Sequence, residues 1–96
     1  MNTIESIQKS IRPILESNDV SFAGIFGSYA RGEADSASDI DLLVRFKNPK
    51  SLFGIVAFER ELSKILKTEV EVITEQSLHP YIAPYVRKEL RTIYEG

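Results

Sequence analysis

The stretch Gly27-Ser28-Tyr29-Ala30-Arg31-Gly32, followed by Glu33 to Ala37 and then Ser38-Asp39-Ile40-Asp41-Leu42, decides how this chain folds. Before it, Val20 to Phe26 is short and apolar with β-branched and aromatic residues, which predicts a strand that Gly27-Ser28 stops. Ser28 to Arg31 can begin a short helix, and Gly32 to Ser38 is small and polar, the composition of a surface loop. Asp39 to Phe46 reads as a second strand, with Ile40, Leu42 and Val44 pointing to one face and Asp39, Asp41 and Leu43 to the other. Two carboxylates therefore leave one side of one strand, their Cα atoms roughly 6.5 to 7 Å apart.

The chemistry of this pattern can be read from its residues. A glycine at a strand end lets the backbone approach a ligand closely. Ser28 beside it offers a hydroxyl and an amide where anionic phosphate is favoured. Asp39 and Asp41 supply hard oxygen ligands, and Mg²⁺ binds through one or two carboxylates plus substrate phosphates at about 2.1 Å. Two ions about 3.5 to 4 Å apart would stabilise the attacking and leaving oxygens of an in-line displacement. A third acid is then needed, to hold the second ion or to take a proton from the nucleophile. Glu71 is the best candidate, because Val70 and Val72 face the core while Glu71 faces the other way.

Taken singly, each feature has an ordinary explanation: a Gly-Ser is commonly a turn, and an Asp-x-Asp a solvated strand end. Their joint occurrence is different, because alternating charge within a short apolar strand costs stability unless something pairs with it. Arg31 either contacts phosphate or the partner, or pairs with Glu33 or Asp35 on a helix surface. Ser38 binds nucleotide or orients the loop before Asp39. His79, the one histidine, precedes Pro80 and reads as a turn residue, and Tyr81, Tyr85 and Tyr94 read as core or interface packing.

Outward from this stretch, Ile4, Ile7, Ile11 and Leu15 recur at helical spacing and predict an opening helix that fades near Ser17 and Asn18. Asn48-Pro49 breaks the chain and Ser51 is an N-cap candidate. Leu52, Ile55, Phe58, Leu62 and Ile65 then mark the inner stripe of a longer helix closed by Lys67-Thr68. Glu69 to Ile73 is a third strand, and after Pro80 and Pro84 the residues Tyr85, Val86, Leu90 and Ile93 predict a final helix. The expected order is αβαβαβα, an α/β arrangement with a mixed sheet of at least three strands and flanking helices. The first two strands are joined closely enough to pair antiparallel.

Ninety-six residues suit a single domain, residues 1–96, since a second core would leave each half too little apolar surface. With 43% hydrophobic and 27% charged residues the chain is neither disordered nor fibrous. Lacking cysteine, it can hold no disulfide or thiolate metal site, which is compatible with a reducing cytosol. No secretory leader and no apolar run long enough for a membrane span are evident, so a cytoplasmic location is expected. A net charge of −2 argues against holding nucleic acid by a general basic surface.

At these residues the chain resembles the minimal nucleotidyltransferase (MNT) family of the DNA polymerase β superfamily. Glycine-serine, ten residues, then aspartate-x-aspartate stands here as Gly27, Ser28, Tyr29 to Ser38, Asp39, Ile40, Asp41, with Ala30-Arg31-Gly32 and Ser38 also matching. The likeness extends through Val70-Glu71-Val72-Ile73, Leu78-His79-Pro80 and Tyr85-Val86, covering roughly Phe22 to Tyr94, although Glu71 stands where the family generally has aspartate. The resemblance implies a polymerase-β-like fold and transfer of AMP from ATP with Mg²⁺. The acids would be Asp39, Asp41 and Glu71, and Gly27, Ser28, Arg31 and Ser38 would lie on the nucleotide side. It further implies a HEPN-domain RNase toxin as partner, neutralised by AMP on one of its tyrosines. Two other readings stand beside it. One is a catalytically silent module that neutralises a partner by covering its active site. The other is transfer to a small molecule such as an aminoglycoside, which the lack of a visible acceptor domain disfavours.

Overall fold

The computed structural model describes residues 2–96. Helix α1 (Ile4–Ser17) starts at a reciprocal cap in which the Ser6 amide donates to Thr3 Oγ1 at 3.1 Å and the Thr3 amide to Ser6 Oγ at 2.8 Å. Its apolar stripe buries Ile7, Ile11, Ile14 and Leu15, and the helix ends at Ser17 as the spacing predicts. Strand β1 (Val20–Phe26), helix α2 (Ser28–Arg31), strand β2 (Ile40–Phe46), helix α3 (Leu52–Leu66) and strand β3 (Val70–Thr74) follow. A 3-10 turn, Glu75–Ser77, leads on towards helix α4 (Ala83–Glu89) and strand β4 (Arg91–Glu95).

The sheet order is β3-β2-β1-β4. β1 pairs antiparallel with β2, its close neighbour in sequence, and the α3 crossover brings β3 alongside β2 in parallel. The sheet is mixed, as the connections require. One face is covered by α1 and α3, where Ile40, Leu42, Val44 and Val70 join the stripes of both helices in the main core. Leu43 and Phe26 point to the opposite face and pack with Leu78 and Val86 in a smaller cluster. Asp41 and Glu71 also belong to this second face, by the strict alternation of β2 and β3.

Two expectations are corrected. The run from Tyr85 to Ile93 is not one helix: α4 stops at Glu89, Leu90 is extended, and β4 adds a fourth strand against the outer edge of β1. Val86, Leu90 and Ile93 do fit a helical period. Yet Thr92, Ile93 and Tyr94 are residues that strands favour, and pairing satisfies the backbone groups along β1 while sending Ile93 into the main core. On α3 the buried stripe is Phe58, Leu62 and Leu66, whereas Leu52 is 74% and Ile65 51% exposed. Leu66, one turn after Leu62, takes the inward position, and Leu52 at the helix start lies beyond the core. The Ser51 cap is present, its Oγ accepting from the Gly54 amide at 3.1 Å. Among the described residues no helix is long and apolar enough to cross a membrane.

Candidate active site

Strand alternation and register assemble the acids. Asp41 lies opposite Phe26 on one side and Glu71 on the other, and Asp39 sits just before β2 begins. The end of β1 carries the chain to Gly27, whose φ of 77° and ψ of −152° suit only glycine. A Cβ at Gly27 would overlap Asp41 Oδ2 and stand 3.1 Å from Asp41 Cγ, so the turn and the carboxylate are in direct apposition. Ser28 opens α2, and Gly32, at φ 73°, closes it.

Beside this turn lies an open cleft of about 570 Å³, within the size range of small-ligand sites. Gly27, Ser28, Arg31, Asp39 and Asp41 line one side, and Ile82, Tyr85 and Glu89, from α4 and the residue before it, line the other. Glu71 stands next to Asp41 in the sheet, outside the cleft lining. Ser38 is also outside it. Its hydroxyl accepts from the Asp35 amide at 2.9 Å and donates to Asp35 Oδ1 at 3.2 Å, bracing the loop that delivers Asp39.

The electrostatics suit a cation. Burial pushes the Asp41 carboxyl above the ordinary carboxylate range, and the neighbouring charges of Glu71, Asp39 and Glu89 push it further, against the opposing pull of Arg31. Among the described residues no group of three acids or histidines is placed to hold a metal ion unaided. Hard oxygens crowded on one strand edge fit Mg²⁺ all the same, because that ion completes its shell with water and substrate phosphates. Asp39 and Asp41 are the side chains that would hold it, with Glu71 adjoining.

Arg31 is paired with Glu33, one of the two courses expected of it, and it also lines the cleft. Its Nε donates to Glu33 Oε1 at 3.0 Å, and its Nη1 donates to Glu89 Oε2 at 3.1 Å and Oε1 at 3.4 Å. Both acids push the guanidinium pKa up, Glu33 first. Glu89 is the residue that sequence reasoning missed. It also accepts the Gly27 amide at 2.8 Å across 62 positions, so no local pattern could have revealed it. Tyr81 and Tyr85 are not core residues, since both are largely exposed, and Tyr85 lines the cleft. Of these three, Tyr94 packs against the core. His79 is a turn residue whose Nδ1 accepts the Tyr81 amide at 3.2 Å.

Comparison with known proteins fits this geometry. The family model described as "Nucleotidyltransferase domain" matches residues 8–93. The chain belongs to that nucleotidyltransferase family. It is 44% identical over 86 residues to "Putative protein adenylyltransferase MJ0435" of Methanocaldococcus jannaschii, covering 90% of this chain and 92% of the relative. It is 35% identical over 94 residues to protein adenylyltransferase MntA of Thermococcus cleftensis, covering 94% and 95% of the two chains. Its fold matches a chain of the solved complex of a tri-AMPylated Shewanella oneidensis HEPN toxin with MNT antitoxin. That match has a TM-score of 0.77 and 17% identity, over 98% of this chain and 74% of that one. The resemblance to minimal nucleotidyltransferases is thereby borne out, and the chain is a nucleotidyltransferase with a mixed-sheet α/β fold.

Proposed function

We propose that residues 1–96 form one Mg²⁺-dependent protein adenylyltransferase domain, cytoplasmic, that moves AMP from ATP to a tyrosine of a HEPN-type toxin held beside it in a hetero-oligomer. The observation that carries this reading is the register that sets Glu71 beside Asp41 while Gly27 packs on the Asp41 carboxylate. Three acids and the Gly27-Ser28 turn, read here as the phosphate-binding element, thus lie towards one end of strands β2 and β3. The names of the relatives support protein as the acceptor class and a HEPN toxin as the partner.

In this reaction the acceptor hydroxyl attacks the α-phosphorus, the bond from that phosphorus to the bridging oxygen breaks, and pyrophosphate leaves. Asp39 and Asp41 would hold Mg²⁺, as two ions, with the nucleotide's phosphates, and the metal would supply charge stabilisation for the attacking and leaving oxygens. Ser28 and Arg31 hold the outgoing phosphates, Ser38 fixes the Asp39 loop, and Glu71 takes the tyrosine proton or helps hold the second ion.

The test is intact mass spectrometry of the HEPN-type partner after incubation with ATP and Mg²⁺. Wild type should add the mass of AMP. Asp39→Asn combined with Asp41→Asn should still bind the partner and add nothing, because the docking surface is left intact while transition-state stabilisation is lost. Glu71→Gln should be impaired, and full transfer by it would remove Glu71 from the set. No added mass from wild type, with full neutralisation by both proteins, would establish occlusion in place of chemistry.

A further inference from the structure

Glu89 occupies a position that local preference argues against. It is the last residue of α4, where the helix dipole disfavours an anion, and it adds a further negative charge beside Asp41. Its side chain is only 26% exposed. Such a residue needs a compensating role, and two partners supply one. Gly27 is buried, and the β1–β4 pairing ends at Ile25 opposite Arg91, so the Gly27 amide lies beyond the reach of the ladder. Glu89 Oε1 accepts that amide at 2.8 Å. Both of its oxygens also accept from Arg31 Nη1, at 3.1 and 3.4 Å.

The guanidinium is therefore held by two carboxylates at different donors: Nε by Glu33 at 3.0 Å and Nη1 by Glu89. Among the described residues Nη2 makes no side-chain hydrogen bond, and Arg31 lines the cleft. A planar fork held by two carboxylates presents its remaining donors in a fixed direction, which is how an arginine is made ready for a phosphate.

We infer that Glu89 is the positioning residue of the phosphate site, holding the Gly27 turn with one oxygen and aiming Arg31 at the nucleotide's phosphates with both. The inference rests on the proposed ATP reading and adds to it a residue outside every motif in the sequence. Its role runs through the two groups it holds, Arg31 and Gly27.

The experiment is ATP binding by the whole chain in Mg²⁺, measured by calorimetry. Glu89→Gln keeps an oxygen for the Gly27 amide and removes the charge that holds Arg31, so Kd should rise about fivefold, the upper end of what a partly exposed pair controls. Glu89→Ala should weaken binding further, by about tenfold or more, and should speed hydrogen exchange of the Gly27 amide, which Glu89→Gln should leave protected. In an Arg31→Ala background, Glu89→Gln should change Kd no further, because its effect runs through Arg31. Should Glu89→Ala fail to fold, Glu89→Gln and the double variant still decide. An unchanged or lower Kd for Glu89→Gln, or the same fivefold loss without Arg31, overturns the inference. If ATP binds and Glu89→Gln weakens it while no AMP reaches a protein, the transfer reading fails and the positioning role stands. If wild type binds no ATP, both fall.

Discussion

Gly27→Ala tests the site most sharply, because one methyl group acts there in two separable ways. At φ 77° and ψ −152° the backbone lies in a region reserved for glycine, and holding alanine there costs about 1 to 3 kcal/mol. Reduced freedom of the unfolded chain returns about 0.4 to 1 kcal/mol of this, leaving a net loss near 1 to 2 kcal/mol. For a domain of this size that is a drop in Tm of about 5 to 15 °C. The collision with Asp41 Oδ2 adds little to the stability cost, since a carboxylate at the end of a side chain can swing aside. Swinging aside is what the site cannot tolerate: Asp41 is a proposed metal ligand, and its oxygen has to stay where the phosphates arrive. Gly32→Ala is the internal control. It too has positive φ, 73°, but open space surrounds its missing Cβ, so it should lose about 1 kcal/mol and bind ATP with Mg²⁺ as wild type does. Thermal denaturation and calorimetry on the three proteins separate the two effects. A folded Gly27→Ala that binds ATP with wild-type affinity would show that the apposition of turn and carboxylate does not constrain the site.

Two further predictions follow from charge. ATP binding should be lost in EDTA and in Asp41→Asn, because without a cation the triphosphate meets the acids around Asp41 directly; equal affinity in EDTA, in Mg²⁺ and in the variant would remove the metal assignment. Glu75 accepts from Arg45 Nε at 2.9 Å and lies 3.6 Å from Arg87 Nη2, and the Arg45 bond above all holds its carboxyl below the ordinary glutamate range. A depressed folded pKa stabilises above the unfolded value, and that contribution disappears as pH falls through the folded value. Glu75→Gln should therefore cost less than about 1 kcal/mol near pH 7, since both arginines are more than half exposed, and this cost should shrink towards zero in acid once pH lies below the folded value. Chemical denaturation under the two conditions checks this, and an equal cost in both would show that the charge is not what acts.

What could be read in the sequence follows from where each signal resides. β1 and α2 carry their own information: apolar residues end at a glycine, a short polar helix follows, and both have the predicted limits of Val20–Phe26 and Ser28–Arg31. The common face of Asp41 and Glu71 was likewise legible from alternation. Their adjacency needed one step more, the rule that a helical crossover returns a strand in parallel beside its neighbour. β4 could not be read this way, because Val86, Leu90 and Ile93 satisfy a helical period and the deciding partner, the free edge of β1, exists only once the sheet forms. Glu89 shows the same limit for function. Asp39 and Asp41 stand out because a charge inside an apolar strand is visibly expensive, whereas a glutamate near a run of Arg87 and Lys88 at a helix end looks like ordinary solvated surface. Its cost and its purpose are both tertiary: a buried amide and a guanidinium, 62 and 58 positions away, are what hold it. Residues that would meet the nucleotide through local chain geometry can thus be named from sequence, while the residue that aims them is found only in the fold.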